Sequence, residues 1–367
     1  MNEEKQRQNN ERMKSTRMAY GVHTFAGGFA LGMDQFLHVA AQFEKSGSAL
    51  TGPRASEHRQ AINDARRNNL WPVLEENDVT FIPHLFNWFE MKRWDYLDQP
   101  CVVFGNPPCA PWSTMNTNNR DWKLDRRLEL VNDIFKVAKR LNADIIAIES
   151  VMQSYTKGLP FWEDKMEDLV DQGFHFYLWL HNVNALGGFQ DRNRFMFIAS
   201  KVKLDFPDVL PKDKRPVLKD YYHKFEELSG GISYRPRKAT AEWDQFLLLA
   251  KPGPLRAQVN GHSIPMPPFT ARKLSMDKAV PTIVGRYVVH PLEGRCLNWD
   301  EFRFLLGFPD DWETTREQVK VGDLVAGILP MTRGVCPLVG AWLGEIIARA
   351  TEPVDHNEPV LTIIDQR

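Results

Sequence analysis

Apolar residues fall along this chain in two rhythms, and the alternation of the two predicts the fold. Short apolar runs read as buried strands at Cys101 to Phe104, Ile145 to Ile148, His175 to His181 and Phe195 to Ala199. Earlier ones lie inside Tyr20 to Met33, at Phe36 to Phe43 and at Val79 to Ile82. Between them, helical spacing predicts amphipathic helices. Leu128, Val131, Ile134, Phe135, Ala138 and Leu141 share one face, and Phe161 to Val170 repeats the pattern. Arg54 to Glu76 carries Ala61, Ile62, Ala65, Leu70 and Val73 along one side of a surface helix, with a break before Pro72. Strand and helix alternate in this way as far as residue 200, the pattern of an α/β fold with a parallel, doubly wound sheet.

The rhythm then stops. Residues 201–273 are rich in Pro, Lys and Arg, with Pro211-Lys-Asp-Lys-Arg-Pro216 and Lys251-Pro-Gly-Pro254 as clear breaks, so a separate lobe is expected there. Its basic residues are interleaved with Tyr221, Tyr222, Tyr234, Trp243 and Phe246, which suits a surface tracking a phosphate backbone and equally a solvated lobe with no ligand. Regular structure returns at Pro281 to Val289, read as a strand, and at Arg295 to Trp312, read as a helix starting near Asn298 where a polar residue can cap it. Leu338, Val339, Trp342, Leu343, Ile346 and Ile347 form the buried stripe of a last helix ending at Ala350, and residues 351–367 read as a loosely attached tail.

Composition narrows the class. With 367 residues, 43% hydrophobic and 25% charged, one large globular domain and a smaller one are expected. The net charge of -1 and the pI of about 6.8 announce no global attraction to nucleic acid, although a local basic cleft suffices for that. Four cysteines (101, 109, 296 and 336) lack metal-ligand spacing, so reduced thiols and a cytoplasmic setting are expected. No apolar run reaches the ~18 residues of a membrane span. The polar first seventeen residues read as a flexible arm without the apolar core of a signal peptide.

Chemistry concentrates in Phe104-Gly-Asn-Pro-Pro-Cys-Ala-Pro-Trp-Ser113. A strand empties there into a loop where open α/β folds hold their ligands, and Pro107, Pro108 and Pro111 stiffen the backbone around Cys109. Cys109 is thus a candidate nucleophile, or else a small buried hydrophobe. Upstream, the glycine turn at Phe25 to Gly28 precedes a helix whose amino end favours electronegative groups. Glu44, at the end of the next apolar run, can accept hydrogen bonds from a ribose, or can be a solvated strand-end charge. Downstream come Ile145-Ile-Ala-Ile-Glu-Ser-Val151, Gln190-Asp-Arg-Asn-Arg194, Gly307-Phe-Pro309 and Gly322-Asp-Leu-Val325.

In that order these motifs resemble the DNA (cytosine-5) methyltransferase family, from about Gly21 to Ala350. The resemblance implies a Rossmann-like S-adenosylmethionine-dependent methyltransferase sheet with a smaller inserted target-recognition lobe. Residues 18–200 and 318–350 would form the catalytic and cofactor-binding domain, and 201–317 the recognition lobe and its connection. It implies Cys109 as nucleophile, Glu149 as the acid facing the base, and Arg192 and Arg194 as cations that contact base or phosphate and favour the thiolate. Ser113 and Gln190 would contact the substrate. Phe25, Gly27, Gly28, Glu44, Asn87, Pro107, Asp323 and Val325 would hold S-adenosyl-L-methionine. The implied partner is double-stranded DNA with a flipped cytosine, bound by a monomer. Ser150 and Asp323 stand where the family carries asparagine, the glycine turn is about two residues short, and the aspartate usual near Pro83 is missing. Three rival readings stand: the same thiol chemistry on RNA, a free nucleotide or with another donated group; an amino methyltransferase, for which Asn106-Pro-Pro is the cue; and a non-catalytic nucleic-acid binding protein.

Overall fold

A computed structural model describes residues 17–46, 55–69, 71–81, 101–113, 121–231, 233, 235, 240–259, 270–284, 287–313, 331–354 and 360–367. Its first half runs β1 (Met18–Val22), α1 (Gly28–Met33), β2 (His38–Lys45), α2 (Ala55–Asn68), β3 (Val73–Glu76) and β4 (Val102–Gly105). Then come α3 (Leu128–Arg140), β5 (Ile145–Val151), α4 (Leu159–Val170), β6 (His175–Asn182), the two-residue β7 (Gln190–Asp191) and β8 (Asn193–Ser200). A smaller lobe holds α5 (Ala241–Leu249), the short strands β9 (Gly253–Pro254), β10 (Arg272–Lys273), β11 (Val280–Pro281) and β12 (Val288–Val289), and α6 (Trp299–Leu305). Helix α7 (Pro337–Arg349) and β13 (Leu361–Gln366) follow.

The central sheet has eight strands in the order β13-β6-β8-β5-β4-β1-β2-β3. β1 pairs in parallel with both β2 and β4, and from that pair the chain builds outward in opposite directions. Such a switch point leaves a crevice, because the loops leaving the two carboxyl ends turn to opposite faces. The glycine turn follows β1 and the Asn106 to Ser113 segment follows β4, so topology alone sets these two stretches beside each other. Both faces of the sheet are covered. Ile134 and Val137 of α3 and Trp162 of α4 pack on one face, and Phe29 and Met33 of α1 with Leu343 and Ile347 of α7 on the other. This double cover is why the central strands read as continuous apolar runs instead of alternating ones.

Several elements differ from expectation, each for a local reason. The sheet is not wholly parallel: β8 runs antiparallel to β5 and β6. It reaches β6 through a short return closed by the Val183 N–H donating to the Arg192 carbonyl (3.0 Å), too short for the crossover a parallel pair needs. The third strand is Val73–Glu76, not Val79 to Ile82; α2 stops at Asn68 because Pro72 cannot continue a helix, and Val79–Phe81 is a single tight turn. The stretch Pro281 to Val289 is not one strand: β11 pairs with β7 and β12 with β10.

The segment at 351–367 is not merely a loose tail, because β13 pairs in parallel with β6 from Leu361↔Phe176 to Gln366↔His181. In the lobe, Tyr221 and Trp243 are buried, and Phe246 packs against the core around Trp243, so these aromatics build hydrophobic clusters and not an exposed stacking surface. Tyr234 lies outside the described residues. Helix α6 does begin after Asn298, whose side chain accepts from Glu301 N while the Glu301 carboxylate accepts from Asn298 N. Arg17, at the end of the expected arm, is buried and donates to the carbonyls of Ile347 and Ala350 at the end of α7. Among the described residues no helix is long and apolar enough to cross a membrane, and no group of His, Cys, Asp and Glu could hold a metal ion.

The contact between α1 and α7 carries a stability prediction. A Cβ at Gly32 would lie 2.0 Å from the Pro337 carbonyl oxygen and 2.5 Å from Ala341 N, with backbone on both sides and no flexible group to yield. Gly32→Ala is expected to lower unfolding free energy by about 2–3 kcal/mol. Gly230→Ala, where nothing lies within 4 Å of the new carbon, should change it by less than about 0.5 kcal/mol. Denaturant midpoints of the two variants check this.

Candidate active site

Strand β4, buried along its whole length, delivers the thiol. The chain leaves it through Asn106, the buried Pro107 and the exposed Pro108, and closes a turn in which Trp112 N and Ser113 N donate to the Cys109 carbonyl at 3.2 and 3.0 Å. Trp112 fixes that turn to α4, its ring 5.8 Å from Phe161 and 5.6 Å from Trp162. Cys109 is half-buried, whereas Cys101, Cys296 and Cys336 are buried, and none of the four is in a disulfide. Burial pushes the Cys109 thiol above its ordinary value, Arg194 pulls it down, Glu149 pushes it up and Arg192 pulls it down. Burial wins. Both arginines favour the thiolate, as expected, but burial outweighs them and leaves the thiol protonated in the protein at rest.

Strand β5 lies beside β4 with Ile148 opposite Gly105, so the next residue, Glu149, emerges next to the segment that leaves β4. Glu149 is 2% exposed. Oε2 accepts from the Asn106 amide Nδ2, which also reaches the Glu149 main-chain carbonyl at 3.4 Å, and Oε1 lies 3.3 Å from Arg194 Nε. Burial raises the Glu149 carboxyl above the ordinary carboxylate range and outweighs the opposing pull of Arg194, Arg192 and Asn106. Across β8, His181 pairs with Arg194; burial and the two arginines push it down to about 3, so a neutral imidazole faces this cation.

Gln190, Arg192 and Arg194 alternate along one extended stretch, which sends their side chains to the same side. They nevertheless meet three different partners. Gln190 is buried, its Nε2 donating to the Leu305 carbonyl (3.3 Å) and its Oε1 accepting from Ile283 N (3.3 Å). Both ends of its amide hold the smaller lobe, so the expected substrate contact is not what this side chain makes. Arg192, also buried, donates to the carbonyls of Thr332 (3.0 Å) and Gly334 (2.8 Å), and burial with Arg194 beside it lowers its guanidinium to about 10. It clamps the segment that leads into α7, in place of the expected contact with base or phosphate. Arg194 alone keeps a partly exposed guanidinium against Glu149.

On the other side of the switch point, the turn after β1 is tight enough to force His23 (φ 55°) and Phe25 (φ 61°) into the left-handed region, beside Gly27 (φ 82°). That strain fits a turn shortened relative to the family pattern. Phe25 N donates to Glu44 Oε1 (2.8 Å), and Gln42 Nε2 bridges the same oxygen (2.9 Å) and the Phe25 carbonyl (3.1 Å). Glu44 Oε2 is buried without a hydrogen-bond partner, as are Thr24 Oγ1 and Asn69 Oδ1 nearby in the chain's fold. A buried carboxylate oxygen left open at the end of β2 fits a ligand bearing hydroxyl donors, such as the ribose of S-adenosylmethionine. Gly27 admits Asn69, whose Nδ2 would be 2.6 Å from a Cβ there, and Gly28 admits the Val335 carbonyl at 2.4 Å, so both glycines serve chain packing. Asn87, Asp323 and Val325 lie outside the described residues. Gln42, Asn69 and the bond from Asn106 to Glu149 went unread in the sequence; Gln42 stands two residues before Glu44, the spacing that puts two strand residues on one side.

The chain belongs to the C-5 cytosine-specific DNA methylase family, whose model matches residues 26–326. Among solved structures, a prophage-encoded E. coli protein assigned as a DNA modification methyltransferase superposes with a TM-score of 0.60 at 16% identity, covering 90% of this chain and 98% of that one. The Entamoeba histolytica methyltransferase EhMeth gives 0.58 at 13% identity, covering 91% and 98%. A Spodoptera frugiperda DNMT2 mutant gives 0.54 at 13% identity, covering 91% and 99%. At these identities the likeness is one of fold: a mixed α/β protein around a large Rossmann-like sheet. No curated protein matches the sequence.

The division of labour between the two arginines is testable. Arg192→Met leaves two buried carbonyls without donors and is expected to cost about 2–4 kcal/mol of stability. Arg194→Met leaves no such carbonyl pair and should cost less than half as much, because Glu149 is free to take up a proton. Equilibrium denaturation of both variants decides it.

Proposed function

We propose that this protein transfers a methyl group from S-adenosylmethionine to carbon 5 of cytosine in DNA, with Cys109 adding covalently to carbon 6. The observation that supports it most is the meeting of a half-buried thiol, a buried carboxyl with a raised affinity for its proton and one open guanidinium at the switch point of the sheet. Carbon 5 of cytosine is too weak a nucleophile to accept a methyl group unaided. Addition of the Cys109 sulfur to carbon 6, with the thiol proton passing to water, makes carbon 5 an enamine carbon. Glu149, protonated, donates to ring nitrogen 3 and offsets the charge that develops there. Arg194 sits beside Glu149 to meet the base oxygen or a flanking phosphate. After transfer, loss of the proton from carbon 5 lets the Cys109 sulfur leave.

Glu44 and the turn at Phe25 to Gly27 would hold the cofactor, the open Glu44 oxygen taking the ribose. When bound, the cofactor supplies an electrophilic methyl group on a sulfonium. The target atom is hidden in a stacked duplex, so the base must flip out, at a cost of a few kcal/mol. Double-stranded DNA is the proposed partner of a monomer, and a cytoplasmic setting fits four cysteines outside any disulfide. The amino-methyltransferase alternative would use the Asn106 amide oxygen to accept from an exocyclic amine and needs no thiol, so Cys109→Ser separates it from the proposal. RNA remains the alternative nearest in chemistry, and parallel reactions on DNA and RNA separate the two.

Incubation with duplex DNA and S-adenosylmethionine, followed by nucleoside mass spectrometry, is expected to yield 5-methyl-2′-deoxycytidine. Cys109→Ser should lower the yield at least ~10³-fold and Glu149→Gln about 10²- to 10⁴-fold. Methylation of an exocyclic amine, or full activity in Cys109→Ser, would exclude the proposal.

A further inference from the structure

We infer that Asn106 is a positioning residue for Glu149: its amide holds Oε2, so that Oε1 is the oxygen that carries the proton to the base. The inference rests on the cysteine-addition reading given above and adds a residue to it. Three contacts carry it. Nδ2 of Asn106 donates both to Glu149 Oε2 and toward the Glu149 main-chain carbonyl at 3.4 Å, and these two acceptors fix which way round the amide lies. Reversed, the amide would set its own oxygen against both. The remaining carboxyl oxygen, Oε1, faces Arg194 Nε at 3.3 Å, a looser contact made by a side chain that is 17% exposed and starts the strand at Asn193.

Oε1 cannot aim a proton at the space that the Arg194 guanidinium fills, and a cation facing that oxygen disfavours its protonation. One donor has to leave before Glu149 can hydrogen-bond to ring nitrogen 3. Asn106 is tied into a backbone stiffened by Pro107 and Pro108, whereas Arg194 ends in a long, partly exposed side chain that can turn to a base oxygen or phosphate. When Arg194 turns away, the cation leaves Oε1 as that oxygen takes up its proton, and Oε2 stays fixed. Docking the substrate thus arms the acid. The charged and titratable groups that act on Glu149 from the neighbouring elements are Arg194 at the start of β8, Arg192 beside it and Cys109 beyond β4, with neutral His181 across from Arg194 on β6.

The test has two readouts. In the first, the Glu149 carboxyl of ¹³C-glutamate-labelled protein, assigned through Glu149→Gln, is titrated by NMR without DNA. Asn106→Ala is expected to move its midpoint up by about one pH unit, because a donor to the ionised form is lost. Asn106→Asp, which keeps the shape should the alanine variant not fold, is expected to move it further up by adding a like charge. In the second readout, DNA carrying 5-³H-cytosine is incubated with no methyl donor; thiol addition at carbon 6 lets carbon 5 exchange its hydrogen with solvent. Asn106→Ala is expected to release tritium at least 10-fold more slowly with unchanged DNA affinity, since the acid is then free to misorient. An unmoved titration, or release no slower than wild type, overturns the inference. If wild type itself releases no tritium, the cysteine-addition reading has failed and the role of Asn106 falls with it, whereas the titration alone reports whether the contact forms.

Discussion

A carboxyl group taken out of water at the end of a central strand is the constraint around which this molecule is arranged. Glu149 is 2% exposed, and an isolated carboxylate there would be costly. The protein answers from two neighbouring strands: Asn106 follows β4 on one side of β5, and Arg194 starts β8 on the other. Neither donor brings the carboxyl back to its ordinary acidity, because burial outweighs both. The result is a group that takes up a proton readily, next to a thiol whose own proton is held more tightly than usual. Such a pair offers a carboxyl ready to take up a proton beside a sulfur that keeps its own in the protein at rest.

The same geometry ties distant parts of the chain to this site. Along Gln190 to Arg194, alternate side chains share one side of an extended stretch and diverge to the lobe, to the segment entering α7 and to Glu149. A shift of the lobe against the sheet would strain Gln190 and β7, which pairs with β11 of the lobe, four residues or fewer from Arg194. Movement of the lobe and the position of Arg194 are thereby mechanically adjacent. The glycine contacts between α1 and α7 keep the two ends of the large domain together, and Arg17 fastens the end of α7 to the start of β1.

The fold was legible in the sequence because a sheet covered on both faces forces apolar runs, and the central strands from β4 to β8 appear where those runs lie. What the runs could not reveal was direction. Whether β8 is parallel or antiparallel depends on the length of its connection to β6, and a turn near residues 183–192 looks much like any other polar loop. The third strand was misplaced because Val73 followed a helical stripe without interruption except for Pro72. Among the site residues, Cys109, Glu149 and Arg194 converge as their motifs imply, since each sits at a strand end fixed by the sheet. Gln190 and Arg192 were assigned to substrate because residue type and spacing record a side chain's chemistry and not its partner; only the folded chain brings Leu305, Thr332 and Gly334 to them. Asn106 was visible as part of a rival motif, and its bond to a glutamate 43 positions away was not.

The central claim, that Cys109 attacks a pyrimidine ring next to Glu149, is tested most directly by trapping. Duplex DNA containing 5-fluorocytosine carries fluorine in place of the hydrogen whose loss frees the enzyme, so incubation with S-adenosylmethionine should leave protein and DNA covalently joined, and peptide mapping should place the bond on Cys109. An adduct at any other residue, or no adduct on DNA that the protein binds and methylates, would contradict the account.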